Sequence, residues 1–363
     1  MGTDFKMPFY AKAALIFICV FSLVFTMCIG QDVILPLIYA TIIAILLNPV
    51  VNFLIKKRIP KVVSISITVV LSILIVLAVV YVISSQVTMF SKTLPQLKIK
   101  FASVTADLVH WVSEKFKISE QKINNKIIEA RSEAMNNFAT GKLTQVGQTL
   151  MVCTLLPVYL FMILYYKPLL LEFIKRLFRV EHHAMISEVL ENTKKIIHSY
   201  LVGLFFEMII IAILNSTGLL LLGIDYAILL GVLGAIINVV PYIGGIIATA
   251  LPMIIAFVTK DSALSPLLVM IVYIVIQFAD NHYIVPKIVA SRVKINALIS
   301  IIVVLIGGAI WGIPGMFLSI PLTAIIKVIF DHIEPLKPWG FLLGNVVPTT
   351  TRFTPLKVTR KKK

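Results

Sequence analysis

Residues 226–258 form a run of 33 residues without one Asp, Glu, Lys, Arg or His. Drawn as a single helix rising about 1.5 Å per residue, the run would reach roughly 50 Å. The hydrocarbon core of a bilayer is only about 30 Å thick. The run also carries Pro241, Gly244, Gly245 and Pro252, the residue types least suited to an unbroken helix. Too apolar for water and too long and broken for one crossing, it is expected to enter the membrane, turn near Pro241 and return. A second run, 296–330, is broken by Gly307, Gly308, Gly312, Pro314, Gly315 and Pro321 and poses the same problem.

Around these runs the apolar residues fall in blocks of about 20, the length that spans a bilayer as a helix. Six full spans can be drawn, at roughly 13–30, 33–54, 62–90, 149–166, 200–222 and 264–284. Only 14% of the residues are charged, against about 25% in soluble domains. The expected class is therefore an all-α polytopic membrane protein with six full spans and two re-entrant hairpins. A transmembrane β-barrel would instead show alternating segments of about ten residues. The first apolar stretch is longer than a signal-peptide core and is followed by no small-residue cleavage site, so it reads as an uncleaved span.

A net charge of +16 raises the question of nucleic acid, but the charges stand beside spans. Lys56, Lys57, Arg58 and Lys61 flank one, and Arg360, Lys361, Lys362 and Lys363 form the tail. That is what the positive-inside rule produces, and such clusters also meet anionic lipid. No nucleic-acid fold accompanies them, and no nucleic-acid partner is expected. Cys19, Cys28 and Cys153 show neither zinc nor CxxC spacing and read as small buried hydrophobes.

The chain divides into spans one to three (1–90), a polar insert (91–147), span four with an interfacial helix (148–199), a core holding both hairpins (200–335, with hairpins at 226–258 and 296–330) and a basic tail (336–363). In the insert, Leu97, Phe101, Val104, Leu108 and Trp111 mark one helical stripe, and Ile123, Ile127, Ala130, Ala134 and Phe138 mark another. Ser119 stands where it could cap the second helix. The two stripes can pack on each other or hold subunits together. Phe173, Leu177 and Phe178 among Lys175, Arg176 and Arg179 suggest a helix at the membrane surface. Asn48-Pro49 suggests a kink or early end of span two.

Basic residues then set a topology. The 56–61 loop holds four and the 167–199 segment six, whereas the loops at 30–32 and 223–225 hold none. With the N-terminus cytoplasmic, the basic loops lie inside. If 226–258 crossed once, Lys287, Arg292 and Lys294 would fall outside. If it turns back, they fall inside, and the tail stays inside as well. A span followed by a hairpin then occurs twice from opposite faces, the layout of inverted-repeat transporters. Cysteine labels at Ser262 and Ser291 would separate the two topologies.

Ionisable residues inside the apolar segments are few. Asp280 is a functional candidate because a carboxylate in the membrane is costly. Gln277, Asp280 and Asn281 share a helix face, and Asn238 precedes the first break. For Asn238 and Gln277, a solute site and helix-to-helix hydrogen bonding stand equally. Glu207 fits ion coupling, a headgroup contact or a subunit contact. The candidate solute or ion site comprises Asn238, Pro241, Gly244, Gly245, Gln277, Asp280, Asn281, Gly308, Gly312, Pro314 and Gly315, with Asp280 and Glu207 for ion coupling. No GxSxG, HExxH or Walker loop is present, so an enzyme or an ATP-driven pump is not expected. The adjacent His182-His183 pair points two ways on a helix and makes no metal site. No cofactor is expected.

The stretch from Pro241 to Gly245, the segment "QFADNHYIVPKIVASRVKIN" at 277–296 and "IGGAIWGIPGMFLSIPLTAIIKVIF" at 306–330 resemble the autoinducer-2 exporter family of permeases. Asn48-Pro49 and the insert after span three fit too, so the likeness covers nearly the whole chain. Ala297 departs from the proline often found there in the family. The resemblance implies a bacterial inner-membrane secondary transporter, a homo-oligomer such as a pentamer, and an elevator-like motion. It implies a small polar solute such as autoinducer-2, or sodium or lithium exchanged for protons. A non-transporting scaffold assembled through the insert is the third reading.

Overall fold

The computed structural model describes residues 8–91, 94–117, 119–241, 243–260, 262, 264–290 and 295–345. These form eleven α-helices: α1 (Phe9–Ile29), α2 (Gln31–Lys56), α3 (Lys61–Ser91), α4 (Leu94–Phe116), α5 (Glu120–Arg176), α6 (His183–Leu221), α7 (Ala227–Asn238), α8 (Ile243–Thr259), α9 (Leu264–Ala279), α10 (Ala297–His332) and α11 (Lys337–Leu343). Seven helical segments among the described residues are long and apolar enough to cross a membrane. Six correspond to the expected full spans. The seventh is α10, which does not run straight. The protein is thus an all-α polytopic membrane protein, and helices are the form that satisfies every backbone group within lipid.

Two parts of the N-terminal half differ from expectation. α2 does not end at Asn48-Pro49 but continues to Lys56. Proline removes one backbone donor and crowds the preceding turn, yet neighbouring helices can absorb this. Here Asn48 is buried and its Oδ1 accepts a hydrogen bond from Lys167 Nζ of α5 at 2.8 Å. The second helix of the insert is not separate from span four: α5 is one helix of 57 residues, about 85 Å long at 1.5 Å per residue. Its polar part contains no proline before Pro157, so nothing stops the helix where its surroundings change. Ser119 occupies the N-cap of α5, but its side chain makes no capping bond.

α4 touches both α5 and α8, buries Val109 and leaves Trp111 exposed. Leu97, Phe101, Val104 and Leu108 of its stripe, and Ile123, Ala130, Ala134 and Phe138 of the next, lie outside the described side chains. Phe173, Leu177 and Phe178 are exposed at the end of α5. Ser291 also lies outside the described residues.

Both broken runs fold back on themselves. α7 has 12 residues and α8 has 17, so they reach about 18 and 26 Å, each short of the roughly 30 Å core. Their backbones meet at the turn, where a Cβ on Gly244 would sit 2.8 Å from Cα of Asn238. α10 bends at Gly312, whose φ of 62° and ψ of −143° lie outside the helical region. That conformation is essentially restricted to glycine. The bend brings Gly307 against Gly315: a Cβ on Gly315 would lie 2.7 Å from the Gly307 carbonyl carbon. Eight residues apart on a straight helix, they would be about 12 Å distant.

Four apolar clusters knit the helices together among the described residues, the smallest setting Tyr200 of α6 with Ala324 of α10. One joins α6, α7, α8 and α9 around Leu219, Leu230, Ile255 and Val269. A second joins α2, α3 and α5 around Ala40, Ile65 and Leu160. The third packs α10 against α2 and α6 through Ile42, Ile197, Trp311 and Leu318. α1 buries no residue, so its apolar surface is left for lipid or a partner. Asn296 caps α10 by accepting from the Ile299 N–H at 2.9 Å and donates to the carbonyls of Leu342 and Gly344. It thereby ties α11 to the start of the second hairpin.

Candidate functional site

α9 ends at Ala279 and gives way to π-helical turns over Asp280–Ile284 and Pro286–Ala290. Pro286 has no N–H to continue an α-helical ladder, and π-turns are a common means of absorbing such a fault, often at functional positions. Asp280 opens the first π-turn and is 1% exposed. Its Oδ2 accepts a hydrogen bond from Nδ2 of Asn238, the last residue of α7, at 2.9 Å. The tip of the first hairpin is thus bonded to the break in α9. Asp280 Oδ1 has no hydrogen-bond partner among the described residues.

Beside this bond lies a cavity of ≈ 1010 Å³. Asn238, Pro241, Gly245, Gln277, Asp280 and Asn281 all line it. The Gln277 side chain lies directly on Gly245, where an added Cβ would be 2.7 Å from Gln277 Oε1. Glu207 of α6 faces the same cavity while only 7% exposed. Gly244 faces its own hairpin instead of the cavity, since its neighbours are Ile237 and Asn238.

The tip of the second hairpin is elsewhere. Gly308, Gly312, Pro314 and Gly315 do not line this cavity. Tyr39 of α2 donates to the Pro314 carbonyl at 3.2 Å and stacks on Phe317, and Trp311 donates to the Met27 carbonyl of α1 at 2.9 Å. This tip is held by the N-terminal helices. Only the outer parts of the hairpin, at Ala297, Ser300 and Ile320, reach the cavity.

Sequence reasoning missed Tyr200, Thr249 and Tyr273, which also line the cavity. A signal existed for two of them. Tyr200 stands seven residues before Glu207, and Tyr273 seven before Asp280, so each shares a helix face with its carboxylate.

Among the described lining residues there are two carboxylates and no Lys, Arg or His. Carbonyl, amide and hydroxyl groups surround them. Such a cavity offers acceptors to hydrogen-bond donors or a cation and no positive side chain to an anion. Among the described residues, no three His, Cys, Asp or Glu are grouped to hold a metal.

A family model described as "AI-2E family transporter" matches residues 14–334. YueF of Bacillus subtilis (strain 168) is 26% identical over 315 residues, covering 82% of this chain and 83% of its own. TqsA of Escherichia coli (strain K12), an AI-2 transport protein, is 26% identical over 306 residues, covering 84% and 87%. YhhT of the same strain is 24% identical over 327 residues, covering 87% and 89%.

Proposed function

The chain belongs to the AI-2E family of transporters, and on that premise we propose that it is a secondary transporter exporting a small polar solute, similar to autoinducer-2, across a bacterial inner membrane. The solute binds in the cavity between the first hairpin and the π-turns of α9. Asn238, Gln277, Asn281 and Asp280 receive its hydroxyl groups, and Glu207 lines the same cavity. The observation that carries this reading is the Asn238–Asp280 bond. It ties a hairpin tip to a helix break beside a cavity lined by two carboxylates and no base among its described residues. Buried polar groups held at the junction of broken helices are how inverted-repeat transporters meet their cargo.

Alternating access follows from an elevator-like shift of the hairpin core against the first spans. Both termini face the cytoplasm, as the basic loops require, and copies assemble as a homo-oligomer such as a pentamer. A monovalent cation is the second ligand class, favoured by the paired carboxylates, and would be exchanged for protons.

Proteoliposomes test both. Asp280→Asn keeps the shape of the side chain and its contact with Asn238 while removing the charge. It is expected to cut solute flux at least about tenfold, a loss of roughly 1.4 kcal/mol of transition-state stabilisation. Equal flux in wild type, Asp280→Asn and Glu207→Gln would sink the site. Sodium-driven proton movement lost in the same variants would favour the antiport reading.

A further inference from the structure

Away from the cavity, where α2, α3, α5 and α6 pack together, positive charge gathers without a counter-charge. Lys61 opens α3. Its Nζ donates to the Tyr165 carbonyl of α5 at 2.8 Å and stands 5.0 Å from the centre of the Tyr165 ring. Two residues further along α5, Lys167 Nζ donates to Asn48 Oδ1 of α2 at 2.8 Å. Both ammonium groups therefore stand at one turn of α5. Among the described residues, the charged groups within electrostatic range of Lys167 are Lys61 and Lys194 of α6, and no carboxylate is among them. Glu191, one turn before Lys194, is bonded to Lys195 at 2.7 Å.

The acceptors that Lys61 and Lys167 do meet are neutral: one backbone carbonyl and one amide oxygen. They fix where the ammonium groups stand and leave the charge in place. Asn48 is only 5% exposed, so the arm that holds Lys167 is itself anchored by packing. An ammonium has three N–H donors, and one from each of these two lysines meets a described acceptor. Three like charges in one neighbourhood repel each other. An anion with several acceptor oxygens relieves that repulsion and takes up the remaining donors, and phosphate is such an anion.

The surroundings indicate where the phosphate comes from. Lys61 is followed by Val62 and Val63, Lys167 is preceded by Tyr165 and Tyr166, and all four of these side chains are exposed. Tyrosines concentrate at the level of the headgroups, and lysines near the ends of spans reach toward it. An occupant meets ammonium groups on one side and apolar surface on the other, which matches the two parts of a phospholipid. The topology proposed above turns this end of the spans to the cytoplasm, where the leaflet carries anionic lipid.

We propose that Lys61, Lys167 and Lys194 form a binding site for the phosphate of an anionic phospholipid, with Asn48 holding Lys167 in position. The lipid bridges α3 and α5, which belong to the N-terminal spans, to α6, which carries Glu207 into the cavity. Thermal unfolding of the purified full chain in detergent tests the site. The additions are phosphatidylglycerol, phosphatidylcholine with the same acyl chains, and inorganic phosphate. Phosphatidylcholine carries the same phosphate with a cation attached, so it separates the anionic headgroup from the acyl chains.

Phosphatidylglycerol is expected to raise the unfolding midpoint about 2 °C or more above phosphatidylcholine. Lys167→Gln should remove most of that difference. So should Lys61→Gln and Lys194→Gln, whose side chains are exposed and whose loss leaves the packing intact. The pair Lys56→Gln and Lys57→Gln takes two charges from the neighbouring loop, where Lys57 Nζ lies over the Phe53 ring at 4.7 Å, and should leave the difference unchanged. An equal response to both lipids overturns the site. So does a full response in Lys61→Gln and Lys194→Gln, or an equal loss in the Lys56 and Lys57 pair. The same stabilisation by inorganic phosphate overturns the lipid as its occupant.

Discussion

At the residue scale the protein places a few polar groups in apolar surroundings, and some of them meet partners far away in the chain. Asp280 was legible because a carboxylate inside an apolar run is conspicuous and costly. Its partner was legible only as a candidate: Asn238 lies 42 residues away, and nothing in the intervening sequence states that the two meet at 2.9 Å. The pair of Asn48 and Lys167 was not legible at all, since 119 residues separate them. It invites a direct test. Asn48→Leu strands the Lys167 ammonium without its acceptor inside a span, and it is expected to lower the unfolding temperature in detergent. Adding Lys167→Met should recover most of the loss, because the double variant leaves no polar group unmet. Additive effects of the two changes would show that the bond contributes nothing, against the roughly 0.6 to 2 kcal/mol typical of polar contacts between membrane helices.

At the element scale, glycine and proline decide where helices stop and where they only bend. Pro36 and Pro49 lie inside α2 and Pro157 and Pro168 inside α5 without ending either helix. Gly312 does end a helical path, because its φ and ψ leave the helical region. The difference is not written in the single residue. Around Gly312, the clustered small residues Gly307, Gly308 and Gly315 let two arms approach, and the N-terminal helices hold the tip. At Pro49 the helix simply continues to Lys56. A Cβ at Gly312 would meet nothing within 4 Å, so Gly312→Ala isolates the backbone term. It should destabilise the protein by about 1–3 kcal/mol in reversible unfolding. A neutral result would mean that the bend can relax at no cost.

At the scale of the whole molecule, charge and helix length support the same arrangement of the first hairpin. Charge counting sends Lys287, Arg292 and Lys294 inside only if 226–258 turns back, and α7 and α8 are each too short to cross. The measurable consequence concerns Ser262, which follows α8. In a background free of the native cysteines, Ser262→Cys should react with an impermeant thiol reagent from the outside of intact cells. Lys57→Cys, in the basic loop after α2, should react only after the membrane is opened. Labelling of both from one face would mean that 226–258 crosses once. The long α5 also belongs to this scale: it carries the insert and span four as one rod, and α4 reaches α8.

The sequence by itself determined the solvent, the helical class, the approximate spans and the two places where apolar segments break. Those follow from local quantities: the length of an apolar run, its lack of charge and the presence of residues that cannot continue a helix. Tertiary structure decided which polar residues meet. It joined Asn238 to Asp280, placed Glu207 in the wall of the same cavity, gathered Asn215 and Tyr273 around Gly234, and moved the second hairpin tip away to Tyr39 and Trp311. In lipid every helix is apolar on most faces, so hydrophobic pattern cannot specify which faces pack together. Close contact of small residues and a handful of hydrogen bonds make that choice, and those contacts join residues far apart in the chain.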